Sequence, residues 1–181
     1  FFNIQHVLKC IHVCGTNGKG STVNYMKEVL KKQGYQVGTF TSPALISRLD
    51  VVRINDQWID EQFIVDVANR YVDTWLEYEI SLFEIEVFIS ILYFIYQGVD
   101  YAIYEVGLGG QLDATNIILP MVCVNTNIGL DHMDYLGDSY ESIARAKAGI
   151  IKDHVDFITG EHKQECVDIF RDTCEKRHSH L

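Results

Sequence analysis

The chain has 181 residues, of which 48% are hydrophobic and 22% charged, and its formal net charge is −10 at pH 7. This length and composition are typical of one globular domain with a sizeable core. The acidic balance argues against a nucleic-acid partner, because phosphate backbones are bound by an excess of Lys and Arg. Five cysteines without CxxC spacing indicate a reducing compartment, so we expect a cytoplasmic protein.

The first predicted elements are a strand at Cys10–Cys14, a glycine-rich loop and a helix at about 21–33. This order is typical of phosphate binding, because glycines let backbone N–H groups approach an anion and the helix N-terminus favours negative charge. Lys19 supplies a charge for the outer phosphates, and a following hydroxyl can serve phosphate or Mg²⁺. Val13 stands where the strict P-loop pattern has glycine, so the loop is a variant. The residues predicted to bind nucleotide phosphate are Gly15, Thr16, Asn17, Gly18, Lys19, Gly20, Ser21 and Thr22.

The chain continues with predicted strands at 35–41 and 51–54 and helices from about residue 60 and from Ser81 to about Gln97. Ser42-Pro43 ends the first of these strands, because proline cannot continue a sheet ladder. Ser81 and Glu84 have capping-box spacing, which gives Glu84 a structural rather than a catalytic role. The helix after Ser81 is apolar nearly all round, which predicts burial. Its apolar run at 87–95 is far too short to span a membrane, so no membrane partner is expected.

The second half alternates strands and helices. Strands are predicted at 99–106, 121–128 and 155–159, helices at about 138–151 and 163–176, and a capping-box pattern at Asp138 and Glu141. The alternation predicts an α/β fold with a mostly parallel sheet flanked by helices. Ligands bind beyond the carboxyl ends of such strands, so the loops after Cys14, Thr41, Glu105 and Ile128 should face one crevice. The glycine run at 107–110 is either a second anion cradle or a flexible turn, and the turn is favoured without further support.

Some polar residues stand at the predicted strand ends. Glu105 near the end of an apolar strand is the usual way to hold Mg²⁺ or its water, and the alternative is a structural carboxylate bonded to the following glycine loop. His132, flanked by Asp131 and Asp134, is either a ligand or proton relay or an ordinary surface histidine. Lys147 falls inside a predicted helix and, from the residues alone, is expected to be a solvated lysine.

Several segments, taken in order, resemble one family. They are GTNGKGS at 15–21, TSP at 41–43, EVGLGG at 105–110, LDATN at 112–116, LDH at 130–132 and KAGII at 147–151. The first resembles the phosphate loop of the Mur-ligase superfamily, and the set resembles folylpolyglutamate synthase and its bifunctional dihydrofolate synthase form. The resemblance implies a partial Mur-ligase central domain of P-loop type. Residues 1–181 are then expected to be part of an N-terminal ATP-binding domain, with the C-terminal domain absent.

The resemblance also implies catalytic and metal-binding roles. The phosphate loop would bind ATP, with Lys19 among the catalytic residues. Ser42 and Glu105 would hold one Mg²⁺, and His132 and Lys147 would serve a second. Lys147 is typically carbamylated in this family, which converts a cation into a metal-binding carboxylate.

On the substrate side, the resemblance puts Asp113 and Ala114 by the pterin end of the substrate. The chain departs from the family pattern at 44–51, where a His and a Glu-Arg pair are usual, and at Gln111, where Arg is usual. These two departures lie on the folate side, so they bear on pteroyl recognition. Ala146 replaces a common Glu before Lys147.

The implied activity is that of an ATP-dependent amide ligase of folate biosynthesis and one-carbon metabolism. It would add L-glutamate to the glutamyl tail of folate, or to dihydropteroate, through an acyl phosphate. The expected partners are these small molecules, and the expected state is a monomer. The 181-residue chain alone should be inactive, because a ligase needs both walls of its cleft. Two alternatives remain: a Mur-superfamily ligase acting on a cell-wall precursor, against which the LDATN loop argues, and a nucleotide-binding module without ligase activity.

Overall fold

A single sheet carries the fold in the computed structural model, which describes residues 3–181. Its strands are β1 (Cys10–Cys14), β2 (Val37–Phe40), β3 (Val52–Ile54), β4 (Gln57–Trp58), β5 (Tyr101–Glu105), β6 (Pro120–Asn125) and β7 (Asp156–Thr159). The strand order is β4-β3-β2-β5-β1-β6-β7. Strands β2, β5, β1, β6 and β7 run parallel, and β3 and β4 form an antiparallel edge. The α/β class with a mostly parallel sheet is therefore confirmed, whereas the β3–β4 hairpin was not predicted.

Helices cover the two faces of this sheet. They are α1 (Lys19–Lys32), α2 (Glu61–Glu77), α3 (Leu82–Gln97), α4 (Met133–Leu136), α5 (Tyr140–Ala148) and α6 (Gln164–Lys176). Short 3-10 helices lie at Ile4–Val7, Arg48–Val51 and Ala114–Ile117. The short helix α4 was not predicted. Within residues 3–181 no helix combines the length and apolarity needed to cross a bilayer.

The helix ends follow local capping chemistry. The predicted box at the start of α3 is confirmed, since Ser81 Oγ accepts the Glu84 N–H at 3.3 Å and Glu84 Oε2 accepts the Ser81 N–H at 2.8 Å. The box predicted at Asp138 and Glu141 is wrong. Ser139 is the N-cap of α5 and Ser142 its reciprocal partner, so the helix begins one residue later than that pattern implied.

The core is divided by the sheet. On one face Val13 packs with Val23 of α1, and on the other Cys10 joins the cluster under α3 while Cys14 joins the cluster under α5 and α6. All five cysteines are buried and free. The prediction that α3 is buried holds for its middle but not its ends, because Leu82 and Tyr96 are 61% and 73% exposed. This packing fixes β1, and with it the loop that follows.

Candidate nucleotide-binding and catalytic site

The loops after β1 and β6 are joined at the carboxyl edge of the sheet. The Thr16 N–H donates to the Asn127 carbonyl at 3.0 Å, and the Gly129 N–H donates to Thr16 Oγ1 at 2.9 Å. The Asn17 N–H donates to Asn127 Oδ1 at 3.0 Å. Two of the four loops expected to face one crevice, those after β1 and β6, are thus joined by hydrogen bonds, and the β6 loop supports the glycine-rich loop.

The glycine-rich loop has backbone conformations that explain its glycines. Gly15 has φ 144° and Gly18 has φ 79°, both in the region where side chains are disfavoured. A Cβ on Gly15 would lie 1.8 Å from Thr126 Oγ1, so this position also needs glycine for space. Gly18 is the N-cap of α1 and makes no side-chain cap, which leaves the first-turn N–H groups available to an anion.

Two lysines converge on this loop. Lys19 Nζ donates to the Gly15 carbonyl at 3.1 Å and to the Thr16 carbonyl at 3.4 Å. Lys147 Nζ reaches the same Gly15 carbonyl at 3.1 Å from α5. Lys19 and the unpaired N–H groups at the start of α1 together favour binding of an anion at this loop.

Lys147 corrects the interpretation drawn from the residues alone. It is only 5% exposed, not solvated, because α5 turns the face that also carries Ile143 and Ala144 toward the core. Burial, together with the charge of Lys19, lowers the pKa of Lys147 below its ordinary value. The lowered pKa shifts Lys147 toward its neutral amine, which is the form that carbamylation needs.

His132 lies near Lys147 at the start of α4. It has a left-handed backbone with φ 50°, and its Nε2 lies 3.7 Å from Asp131 Oδ2. Together with Lys19 and Lys147 it lines a small cavity of about 20 Å³. The sequence-predicted pair His132 and Lys147 is thus brought together at the edge of the phosphate loop.

Glu105 is the second polar centre. It ends β5, is 5% exposed, and accepts one hydrogen bond, from the Ser42 N–H at 3.4 Å. Burial raises the pKa of Glu105, opposed by the nearby charge of Lys19 and the Ser42 N–H. The alternative of a carboxylate satisfied by the following glycine loop is wrong, because its donor comes from the β2 loop. With Ser42 it lines a cavity of about 240 Å³ beside Gly20.

The donor set at Glu105 fits a cation. A buried carboxylate with one long hydrogen bond keeps free lone pairs, and Ser42 adds a hydroxyl, which are ligands that Mg²⁺ accepts. Across residues 3–181 no group of three or more His, Cys, Asp or Glu side chains is arranged to hold a metal. An ion at Glu105 would therefore complete its shell with water or nucleotide oxygens.

The loop at 107–116 forms one wall of a second, larger cavity. Asp113 and Ala114 line a cavity of about 500 Å³ with Phe83 and Tyr135. The Asp113 carboxylate is engaged locally, accepting the Leu108 N–H at 2.8 Å. A Cβ on Gly107 would lie 2.7 Å from Phe83. Close packing therefore explains that glycine, with no need for an anion.

The altered segment at 44–51 is held by an acidic side chain. Asp50 is 2% exposed and accepts backbone N–H groups from Leu45, Ile46 and Ser47. Burial alone would raise the pKa of Asp50, but these hydrogen bonds outweigh it and hold the pKa below its ordinary value. Asp50 thus orders the loop that follows Ser42-Pro43.

Two buried side chains that organise the site were missed from the sequence. His12 Nε2 lies 2.8 Å from Thr115 Oγ1, and Glu161 accepts the Ile128 N–H at 2.5 Å. The available signal for His12 was a single histidine within an apolar strand. Nothing in the local sequence distinguishes Glu161 from a surface carboxylate.

Comparison with known proteins gives consistent matches. The Mur ligase middle domain matches residues 13–179. The dihydrofolate synthase/folylpolyglutamate synthase of Bacillus subtilis is 39% identical over 176 residues, which is 93% of this chain and 41% of that protein. An FPGS–AMPPCP–folate complex superposes with a TM-score of 0.92 at 33% identity, over 98% of this chain and 45% of that one. Escherichia coli FolC in complex with DHPP and ADP gives 0.87 at 34% identity, over 98% and 43%. The chain spans less than half the length of these relatives.

Proposed function

The chain belongs to the Mur ligase family, and from that premise we propose that it is part of the N-terminal ATP-binding domain of an ATP-dependent amide ligase. The ligase adds L-glutamate to the glutamyl tail of folate or to dihydropteroate. The observation that carries the proposal is the meeting of three features at one sheet edge: the phosphate loop with Lys19, the carboxylate of Glu105, and the cavity beside Asp113 and Ala114. Relatives named for this activity, and structures solved with an ATP analogue and folate, support it.

The chemistry requires activation of a carboxylate. A free carboxylate does not acylate an amine at neutral pH, because oxide is a poor leaving group. Transfer of the γ-phosphoryl group of ATP to the substrate carboxylate gives an acyl phosphate and ADP. The glutamate amine then attacks the acyl carbon, the C–O bond to phosphate breaks, and amide, phosphate and a proton are released.

The residues of the phosphate loop bind and orient the nucleotide. The N–H groups at the start of α1 and the loop backbone from Gly15 to Gly20 surround the phosphates, and Ser21 and Thr22 offer hydroxyls. Lys19, which now bonds the Gly15 carbonyl, can turn toward the outer phosphate and offset charge as two anions approach. Holding both reactants close converts the transfer into an effectively unimolecular step.

Magnesium would be held by Ser42 and Glu105, with a second ion served by His132 and a carbamylated Lys147. When bound, the ions neutralise phosphate charge and draw electrons from the transferred group. The lowered pKa of Lys147 supports the second assignment, because an ammonium there would repel a cation.

The two sides of the cleft share a wall. Leu108, Gly109 and Leu136 line both the small cavity beside Lys147 and the larger one beside Asp113. A substrate in the larger cavity would therefore lie next to the phosphate loop, on the other side of these shared residues. We further propose a cytoplasmic monomer, in keeping with five buried free thiols.

The experiment is a thermal-shift comparison on the full-length protein with ATP·Mg²⁺, pteroate and a muropeptide precursor. The proposal expects stabilisation by ATP·Mg²⁺ and a further rise with pteroate. A further rise only with the muropeptide would support a cell-wall ligase instead. A response to ATP·Mg²⁺ alone, with neither acceptor adding to it, would support a nucleotide-binding module.

A further inference from the structure

His12 is a fully buried histidine in the middle of β1, an interior strand of the sheet. It is 0% exposed and lies between Cys10, in the cluster under α3, and Cys14, in the cluster under α5 and α6. Its side chain thus lies between the two apolar clusters. Histidine is costly at such a position unless it is hydrogen-bonded, so its partner needs an account.

That partner is Thr115, which fixes how the histidine is protonated. Thr115 Oγ1 lies 2.5 Å from Asp113 Oδ1 and 2.8 Å from His12 Nε2. A carboxylate only accepts, so the single hydroxyl proton of Thr115 goes to Asp113. His12 must then donate from Nε2, which leaves Nδ1 as an unprotonated acceptor.

The surroundings of His12 Nδ1 agree with a hydrogen bond donated from Nε2 to Thr115. Among the residues that the structure describes, His12 Nδ1 is the buried side-chain polar atom without a hydrogen-bond partner. Burial, with a contribution from the charge of Lys152, lowers the pKa of His12 to about 3. The imidazole is therefore neutral at physiological pH, and it donates one hydrogen bond, from Nε2 to Thr115 Oγ1.

The relay ends on the substrate-side loop. Asp113 Oδ1 receives the Thr115 hydroxyl, and Oδ2 receives the Leu108 N–H at 2.8 Å. Leu108 belongs to the wall shared by the two cavities. The chain of bonds thus runs from the strand that carries the phosphate loop to the turn that separates nucleotide from substrate.

We propose that His12 is a positioning residue, which acts through Thr115 and Asp113 to hold the 107–110 turn and so to shape the substrate cavity. It contacts no reacting atom itself. The link to substrate rests on the proposed function, whereas the link to the turn rests on the hydrogen bonds alone. If position 12 only had to keep β1 in register, an apolar residue would do so equally well and would leave no unpaired nitrogen in the core.

The test uses four single variants of the full-length protein and one double variant that combines His12→Phe with Thr115→Val. His12→Phe keeps a ring but removes the donor, and His12→Gln keeps an N–H near the position of Nε2. Thr115→Val interrupts the relay one step later. Ser90→Ala is the matched control, because Ser90 is also 0% exposed and its hydroxyl bonds to Val87 O and Tyr104 Oη, which lie outside the 107–116 loop.

The first readouts do not depend on activity. Nitrogen NMR of wild-type His12 should show one neutral tautomer with the proton on Nε2, unchanged from about pH 6 to pH 8. Exchange of the Leu108 amide hydrogen should be about tenfold faster in His12→Phe and in Thr115→Val. Combining the two changes should add little, since they interrupt the same relay.

The kinetic readout separates positioning from a general structural role. In His12→Phe the KM for pteroate should rise about tenfold while the KM for ATP stays unchanged, and His12→Gln should recover most of the loss. Ser90→Ala should alter neither. Equal rises in both KM values, or Leu108 exchange at the wild-type rate in His12→Phe and Thr115→Val, would overturn the proposal. If the wild-type protein does not use pteroate but Leu108 exchange responds, the ligase assignment fails and the positioning of the turn holds.

Discussion

Replacing Glu161 by glutamine should destabilise the protein, because both carboxylate oxygens act as acceptors for backbone groups. Oε2 accepts the Ile128 N–H at 2.5 Å, and Oε1 accepts the N–H groups of His162 and Lys163, each at 2.8 Å. Lys163 Nζ donates to the Ile128 carbonyl at 2.7 Å. Glu161 and Lys163 therefore bind both the N–H and the carbonyl of Ile128, the residue that leads into the loop bearing His132.

The magnitude follows from what glutamine can replace. It supplies one carbonyl oxygen, so an NH₂ group must face either the Ile128 N–H or the pair at His162 and Lys163. One charge-assisted bond is lost and one buried donor is left unpaired, which together cost roughly 3 kcal/mol. Urea unfolding at neutral pH measures this loss. Glu175→Gln, an exposed change on α6, should stay within about 0.5 kcal/mol of wild type.

The effect should also depend on pH. Burial alone would raise the pKa of Glu161, but the hydrogen bonds from Lys163 and Ile128 outweigh it and hold the pKa below its ordinary value. A depressed folded-state pKa gives stabilisation that is present above the unfolded pKa of about 4.3 and is lost as pH falls through the folded value. The difference between wild type and Glu161→Gln should therefore shrink in acid. Equal stability at neutral pH, or a difference that persists in acid, would refute the reasoning.

Three further predictions concern the phosphate loop. Lys19→Ala should abolish ATP binding without changing the circular dichroism spectrum, and unchanged affinity in equilibrium dialysis would contradict the assignment. Lys147→Ala should cost far more in turnover than in ATP affinity, with partial rescue by a short carboxylic acid. Near-normal turnover of Lys147→Arg would remove the second metal site. Gly15→Ala should reduce ATP affinity more than Gly18→Ala, because a Cβ at Gly15 meets Thr126 at 1.8 Å whereas one at Gly18 meets nothing within 4 Å. Equal losses in dialysis would count against that packing argument.

Much of the fold can be predicted from patterns of neighbouring residues in the sequence. The phosphate-loop string, the Ser81–Glu84 cap and the apolar strands each depend on neighbours within a few positions, so the sequence alone predicts them. Element ends were less accurate. The helix predicted at 21–33 begins at Lys19, because Gly18 takes the left-handed cap conformation that only the backbone reveals.

Residues that act over long sequence separations were not predictable in this way. His12 and Thr115 are 103 positions apart, and Lys147 and Gly15 are 132 apart. Their partners depend on the register of β1 against its neighbours and on which face α5 turns inward. The resemblance singled out Lys147, but its burial and its bond to the phosphate loop required the structure.

The most direct test of the account is a coupled assay on the full-length protein with ATP, Mg²⁺, labelled L-glutamate and dihydropteroate or folate. Ligation through an acyl phosphate predicts that ADP is released one-for-one with glutamate incorporation into the pteroyl product. Lys19→Ala should abolish both together. ADP release without incorporation, or ATP binding with neither, would contradict the assignment of this chain to a folate amide ligase.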